Sequence, residues 1–67
     1  MDMFVERDLV RFKDDKRAKQ YGIGTVSKVT SDLIPGFHYF IRFNDGTLKW
    51  MPKKAAEEQL EMIGRKN

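Results

Sequence analysis

The sequence predicts a small all-β domain, a barrel of four to five short antiparallel strands with one short helix near its C-terminal end. Three observations carry that expectation. Residues 39–51, Tyr-Phe-Ile-Arg-Phe-Asn-Asp-Gly-Thr-Leu-Lys-Trp-Met, read as two strands folded about Asp45-Gly46, a dipeptide that readily takes positive φ in tight hairpins. Residues 21–30 read as another strand, in which Val26 and Val29 break strict alternation and Gly24 marks a bulge or sharp bend where a small barrel turns a corner. Finally, 67 residues without cysteine leave neither disulfides nor a thiolate zinc site to hold the chain. A barrel with a full aromatic core is the simplest remaining way to stabilise so short a chain.

In chain order, residues 1–8 form a lead-in anchored by Phe4, and residues 9–12 form a first strand with Val10 and Phe12 on one face. Residues 13–20 are polar and charged and read as a loop over one end of the barrel. The glycine-bent strand follows. Residues 31–37 are a turn-rich connection in which Pro35-Gly36 suits the centre of a type II turn. After Pro52 two readings are open: one helix over residues 52–63 capped by Gly64, or a helix of one to two turns and a final strand over residues 60–63. The charges favour the second, because lysines begin this segment and glutamates follow, against the helix macrodipole. The domain then spans residues 9–63, with 64–67 as a tail.

A two-residue turn at Asp45-Gly46 pairs Phe43 with Leu48, Arg42 with Lys49, Ile41 with Trp50 and Phe40 with Met51. Ile41, Phe43, Leu48 and Trp50 then face a core, and Phe40, Arg42, Lys49 and Met51 share the opposite face. A like-charged pair beside an exposed apolar pair is unfavourable in isolation. The face is therefore expected to meet a partner.

Composition narrows the classes of function. Lys and Arg number 13 against 10 Asp and Glu, with acidic residues interspersed, so the net charge of +3 permits nucleic acid or acidic protein partners without demanding either. No apolar run approaches the ~18 residues of a membrane span. The acidic, mixed start is not a signal peptide, and the absence of cysteine fits a reducing cytoplasm. One histidine, His38, has no cysteine, serine or carboxylate at a motif spacing, and Gly22-Ile23-Gly24 lacks the rest of a phosphate loop. No catalytic, metal or cofactor residues are assigned, and enzymatic activity is not expected.

Several of these residues resemble a known superfamily. Val10 with Tyr21-Gly22-Ile23-Gly24-Thr25-Val26-Ser27-Lys28-Val29 is similar to the first two strands of Tudor-like domains. Tyr39, Ile41, Phe43 and Asp45-Gly46 resemble their third strand and turn, and Trp50-Met51-Pro52 with Leu60-Glu61 resembles the ending of small bacterial and phage barrels of that kind. KOW-type modules and the photosystem E-subunit barrel are similar more loosely. The resemblance covers residues 9–63 and implies an SH3-like barrel, of the sort found in small cytoplasmic phage or bacterial accessory proteins.

Three binding modes follow. Docking on a protein partner would use Phe40 and Met51 as anchors and Arg42 and Lys49 as a polar rim, with Lys16, Arg17 and Lys19 of the charged loop as secondary contacts. Nucleic-acid binding would use the same basic residues, with Lys28, Lys53 and Lys54, on phosphates and Phe40 for stacking. Resemblance to Tudor domains adds a third: an aromatic cage for a methylated side chain, drawn from Tyr21, Phe37, Tyr39 and Trp50. Protein docking is the leading expectation for a small barrel without other chemistry, as a monomer or a weak homodimer.

Overall fold

The computed structural model of the chain describes residues 1–30 and 35–66. Strand β1 (Asp8–Phe12) buries Asp8, Val10 and Phe12 and turns Leu9 and Arg11 outward. The charged stretch that follows is not a loop. It forms helix α1 (Asp15–Tyr21), and its end signals are local. The Asp14 carboxylate accepts from Arg17 N at 3.0 Å, and Asp15 and Lys19 lie at the ends the macrodipole favours. At the far end Gly22, at φ +75°, donates its N–H to Ala18 O. Only Ala18 and Tyr21 of this helix pack on the core, so no apolar stripe announces it.

Strand β2 (Gly24–Val29) pairs with both β1 and strand β3 (Tyr39–Phe43). Its irregularity is at Ser27, because Val26 pairs with Ile41 and Lys28 with Phe40. A bulge is thus present as expected, but at Ser27 and not at Gly24, and it is why Val26 and Val29 both turn inward. Gly24 answers a different need: a Cβ there would lie 2.8 Å from both Ile41 Cγ2 and Phe43 Cε1. The expected turn at Pro35-Gly36 has Gly36 at φ +91°; the rest of that connection, residues 31–34, lies outside the described residues.

Strand β4 (Leu48–Met51) completes the hairpin, and helix α2 (Lys53–Gln59) leads directly into strand β5 (Leu60–Arg65). The short helix followed by a strand is thus the form the C-terminal segment takes. Pro52 stands one residue before the helix, Gly64 pairs with Leu9 inside β5, and that strand includes residues assigned to a tail. The five strands form one antiparallel sheet in the order β4-β3-β2-β1-β5. Strands β4 and β5 are its edges, so the sheet is not closed into a barrel.

The sheet curls around Phe4, Val10, Phe12, Val26, Tyr39, Ile41, Phe43, Met51, Ala56 and Leu60. Phe12 stacks on Phe43 at 5.4 Å, and Phe4 meets the Tyr39 ring edge-on at 5.5 Å. Phe4 is fully buried. The lead-in is therefore part of the core, held by Val5 N–H donating to Asp8 Oδ2 and by Arg7 N–H donating to Val26 O.

Candidate functional site

The turn at the tip of β3 and β4 decides which side chains face solvent. Gly46 N–H donates to Phe43 O, and Phe43 N–H donates to Thr47 O. The loop is thus three residues, Asn44-Asp45-Gly46, with positive φ at Gly46 (+92°) and not at Asp45. Asp45 stays out of the left-handed region and uses its carboxylate to accept from Thr47 N at 2.8 Å. The turn is also docked on the end of α1, where Asn44 N–H donates to Ile23 O and Asp45 N–H to Tyr21 O.

One extra loop residue shifts the register by one, and a one-residue shift exchanges the two faces of β4. Tyr39 pairs with Met51, Phe40 with Trp50, Ile41 with Lys49 and Arg42 with Leu48. Met51 is buried and Trp50 exposed, the reverse of the order that a two-residue turn requires. The expected face of Phe40, Arg42, Lys49 and Met51 is therefore corrected. Phe40 and Arg42 do face outward together, but Leu48 and Trp50 accompany them. On β2, Lys28 lies opposite Phe40 and Thr25 opposite Arg42, extending the same face.

This face has a defined centre. The Trp50 ring lies 4.6 Å from Phe40 and 5.7 Å, edge-on, from Phe37. Phe37 just precedes β3, where its carbonyl accepts the Thr30 hydroxyl. Leu48 and Phe37 are both about half exposed, which makes the patch apolar as well as aromatic. Arg42 and Lys28 flank it, and among the described residues neither has a hydrogen-bond or ion-pair partner. None of the six outward positions, Thr25, Lys28, Phe40, Arg42, Leu48 and Trp50, is acidic.

The four cage candidates do not converge. Tyr39 is fully buried, and Tyr21 packs against both Phe12 and Phe43. Phe37 and Trp50 belong to the outer face, in direct ring contact that leaves no space for a cation between them. The basic candidates also divide. Lys16 and Lys19 are exposed on α1, away from the aromatic patch. Arg17 reaches back from α1 to lie over the Phe12 ring, and Lys49 on the inward side of β4 lies over Tyr21.

A polar clasp, unforeseen in the sequence, ties the lead-in to α2. One Glu57 oxygen accepts from Tyr39 Oη at 2.6 Å, Lys53 Nζ at 2.7 Å and Met3 N at 3.0 Å. Burial opposes charge on Glu57, but the hydrogen bonds from Lys53, Tyr39 and Met3 outweigh it and bring the carboxyl down to about 2. Burial, then the bond to Glu57, holds the Tyr39 phenol above its usual range. Asp2 lies 2.8 Å from His38 Nε2, and that hydrogen bond, with help from Lys53, depresses its carboxyl. The i,i+4 spacing of Lys53 and Glu57 is visible in the sequence, but their meeting with residues 1–4 is not.

Among the described residues no group of three His, Cys, Asp or Glu could hold a metal ion, and no helix is long and apolar enough to cross a membrane. No family model, curated protein or solved structure matches the chain.

Proposed function

We propose that the chain is a non-catalytic, SH3-like binding module that docks on a protein partner through the outward face of β2, β3 and β4. The strand order β4-β3-β2-β1-β5, the tight β3–β4 hairpin and the short helix before β5 support the SH3-like reading. One observation carries the function: Trp50 sits in contact with Phe37 and Phe40, beside exposed Leu48, inside a rim of Arg42 and Lys28, which have no partner among the described residues. Tryptophan and arginine dominate the energetics of protein interfaces, and a contiguous exposed apolar patch rimmed by polar groups is their usual mark. The partner surface has an apolar centre and acidic flanks. A symmetric pairing of two copies through this face is disfavoured, because it sets Arg42 and Lys28 near their own counterparts.

The absence of acidic side chains at the outward positions of β2 to β4 favours a second reading, in which bases stack on Trp50 and Phe37 while Arg42 and Lys28 contact phosphates. Trp50 is the chain's single tryptophan, so its fluorescence reports either partner directly. For the protein reading, a photoreactive phenylalanine analogue replaces Leu48 and is irradiated in extract. A discrete adduct with an acidic protein is expected, lost in Trp50→Ala and Arg42→Glu but kept in Lys16→Glu. Adducts indifferent to Trp50 and Arg42 refute it. Salt-sensitive quenching of Trp50 by short single-stranded oligonucleotides, without such an adduct, transfers the function to the second reading.

A further inference from the structure

On the other side of β4 from the aromatic patch, a cleft of about 250 Å³ is lined by Phe12, Arg17, Tyr21, Lys49, Met51 and Gln59. We infer that this cleft is a binding site for a phosphate monoester, gripped by Arg17 and Lys49. Both cations line it and none of its lining residues is acidic. Among the described residues the Arg17 guanidinium hydrogen-bonds only to the neutral Gln59 Oε1, at 3.3 Å, while its backbone N–H caps on Asp14, and Lys49 has no hydrogen-bond or ion-pair partner. Holding two cations in a cleft lined by no acidic side chain is unfavourable until a counter-charge enters.

The walls prepare the site. Arg17 Cζ lies 5.8 Å from the Phe12 ring centroid and Lys49 Nζ 5.2 Å from that of Tyr21, and the two rings are 5.3 Å apart. The aromatic surface orients both cations toward the cleft. Because its oxygen is occupied by Arg17, the Gln59 side chain has its amide N–H groups left to donate. A guanidinium fork beside an ammonium suits the three oxygens and near-dianionic charge of a phosphate monoester at neutral pH better than a single carboxylate. The volume is below the ~300 Å³ of the smaller organic-ligand pockets. The cleft therefore takes the phosphoryl group, with whatever carries it outside. Free phosphate and the 5′ end of a nucleotide share this chemistry.

The experiment is an NMR titration of the labelled chain with inorganic phosphate at pH 7.4, against sodium chloride at matched ionic strength. Saturable shifts at Arg17, Tyr21, Lys49 and Gln59 are expected with phosphate alone. Arg17→Gln weakens binding about tenfold or more, whereas Lys16→Gln, on the same helix but outside the cleft, changes it less than about twofold. Lys49→Met keeps the aliphatic stem in place and repeats the loss. A 5′-phosphorylated dinucleotide that binds more tightly than phosphate identifies the nucleotide end as the source, and equal binding identifies the free ion. Non-saturating shifts along α1, equal losses in Lys16→Gln and Arg17→Gln, or equal binding of the 5′-hydroxyl dinucleotide overturns the assignment. The site is separate from the outward face, so Trp50→Ala leaves phosphate binding unchanged whatever the fate of the docking reading.

Discussion

Glu57→Gln tests whether the polar clasp holds the N-terminal segment in the fold. The carboxylate receives three donors on one oxygen and is depressed from 4.5 to about 2. At about 1.4 kcal/mol per pKa unit this corresponds to an upper bound of roughly 3 kcal/mol. Solvent reaches 30% of the Lys53 side chain, one of the three donors, so about 1–2 kcal/mol is the expected loss near neutral pH. The sign follows from the depressed value. The folded state binds the Glu57 proton less readily than the unfolded chain, so the contribution is complete above about 4.5 and fades as pH falls towards about 2. Urea unfolding followed by near-ultraviolet circular dichroism, at intervals from pH 7 to pH 2, measures both quantities. Glu57→Gln should unfold at lower urea at pH 7 and converge with the parent near pH 2. Equal midpoints at pH 7, or a gap that persists unchanged at pH 2, refute the reasoning.

The other expectations concern the core and its register. Gly24→Ala should cost about 1–3 kcal/mol in urea unfolding, because the new methyl meets Ile41 and Phe43 at 2.8 Å. Phe4→Ala should cost about 3–5 kcal/mol, a large share of the stability of a chain this small, and is read as lost amide dispersion at 25 °C. Asp14→Ala removes the cap of α1 and should cost about 1 kcal/mol with the outward face unchanged. Met51→Ala should cost about 2–5 kcal/mol and Trp50→Ala about 1 kcal/mol, an order that reverses if Trp50 and not Met51 points into the core.

How far the fold could be read depends on where each signal lies. β1, the hairpin strands, the short helix before β5 and most of the aromatic core follow from alternation and turn chemistry inside short windows of sequence. Helix α1 was hidden because its own apolar contribution is only Ala18 and Tyr21, while its determinants, the Asp14 cap and the Gly22 stop, are polar or featureless. Its charged residues favour solvent in a loop and a helix alike. The irregularity of β2 was legible in the Val26/Val29 break, but its position at Ser27 is fixed by pairing with β3, and the clasp at Glu57 depends on residues 1–4, which no local pattern contains. The candidate site was half legible: Phe40 and Arg42 are outward in either register, whereas Lys49 and Met51 exchange places with Leu48 and Trp50.

That exchange has a physical cause and a functional consequence. A two-residue turn would require positive φ at Asp45 as well as Gly46 and would drive Trp50 into an interior already occupied by Phe4, Phe12, Tyr39 and Phe43. The three-residue loop avoids both, at the expense of leaving Phe37 at 45%, Leu48 at 56% and Trp50 at 38% exposure. With side-chain areas of roughly 150–250 Å², these three present on the order of 250–300 Å² of apolar surface. Covering it is worth about 6–7 kcal/mol, within the range of roughly 4–15 kcal/mol that association itself costs. On the proposed docking reading this side of the apolar centre does little more than offset that cost, and Arg42 and Lys28, without partners among the described residues, supply part of the attraction. If the docking proposal holds, stopped-flow Trp50 fluorescence should show a transient, salt-released complex, with Arg42→Ala lowering the on-rate and, read by the photocrosslink at Leu48, Trp50→Ala raising the off-rate.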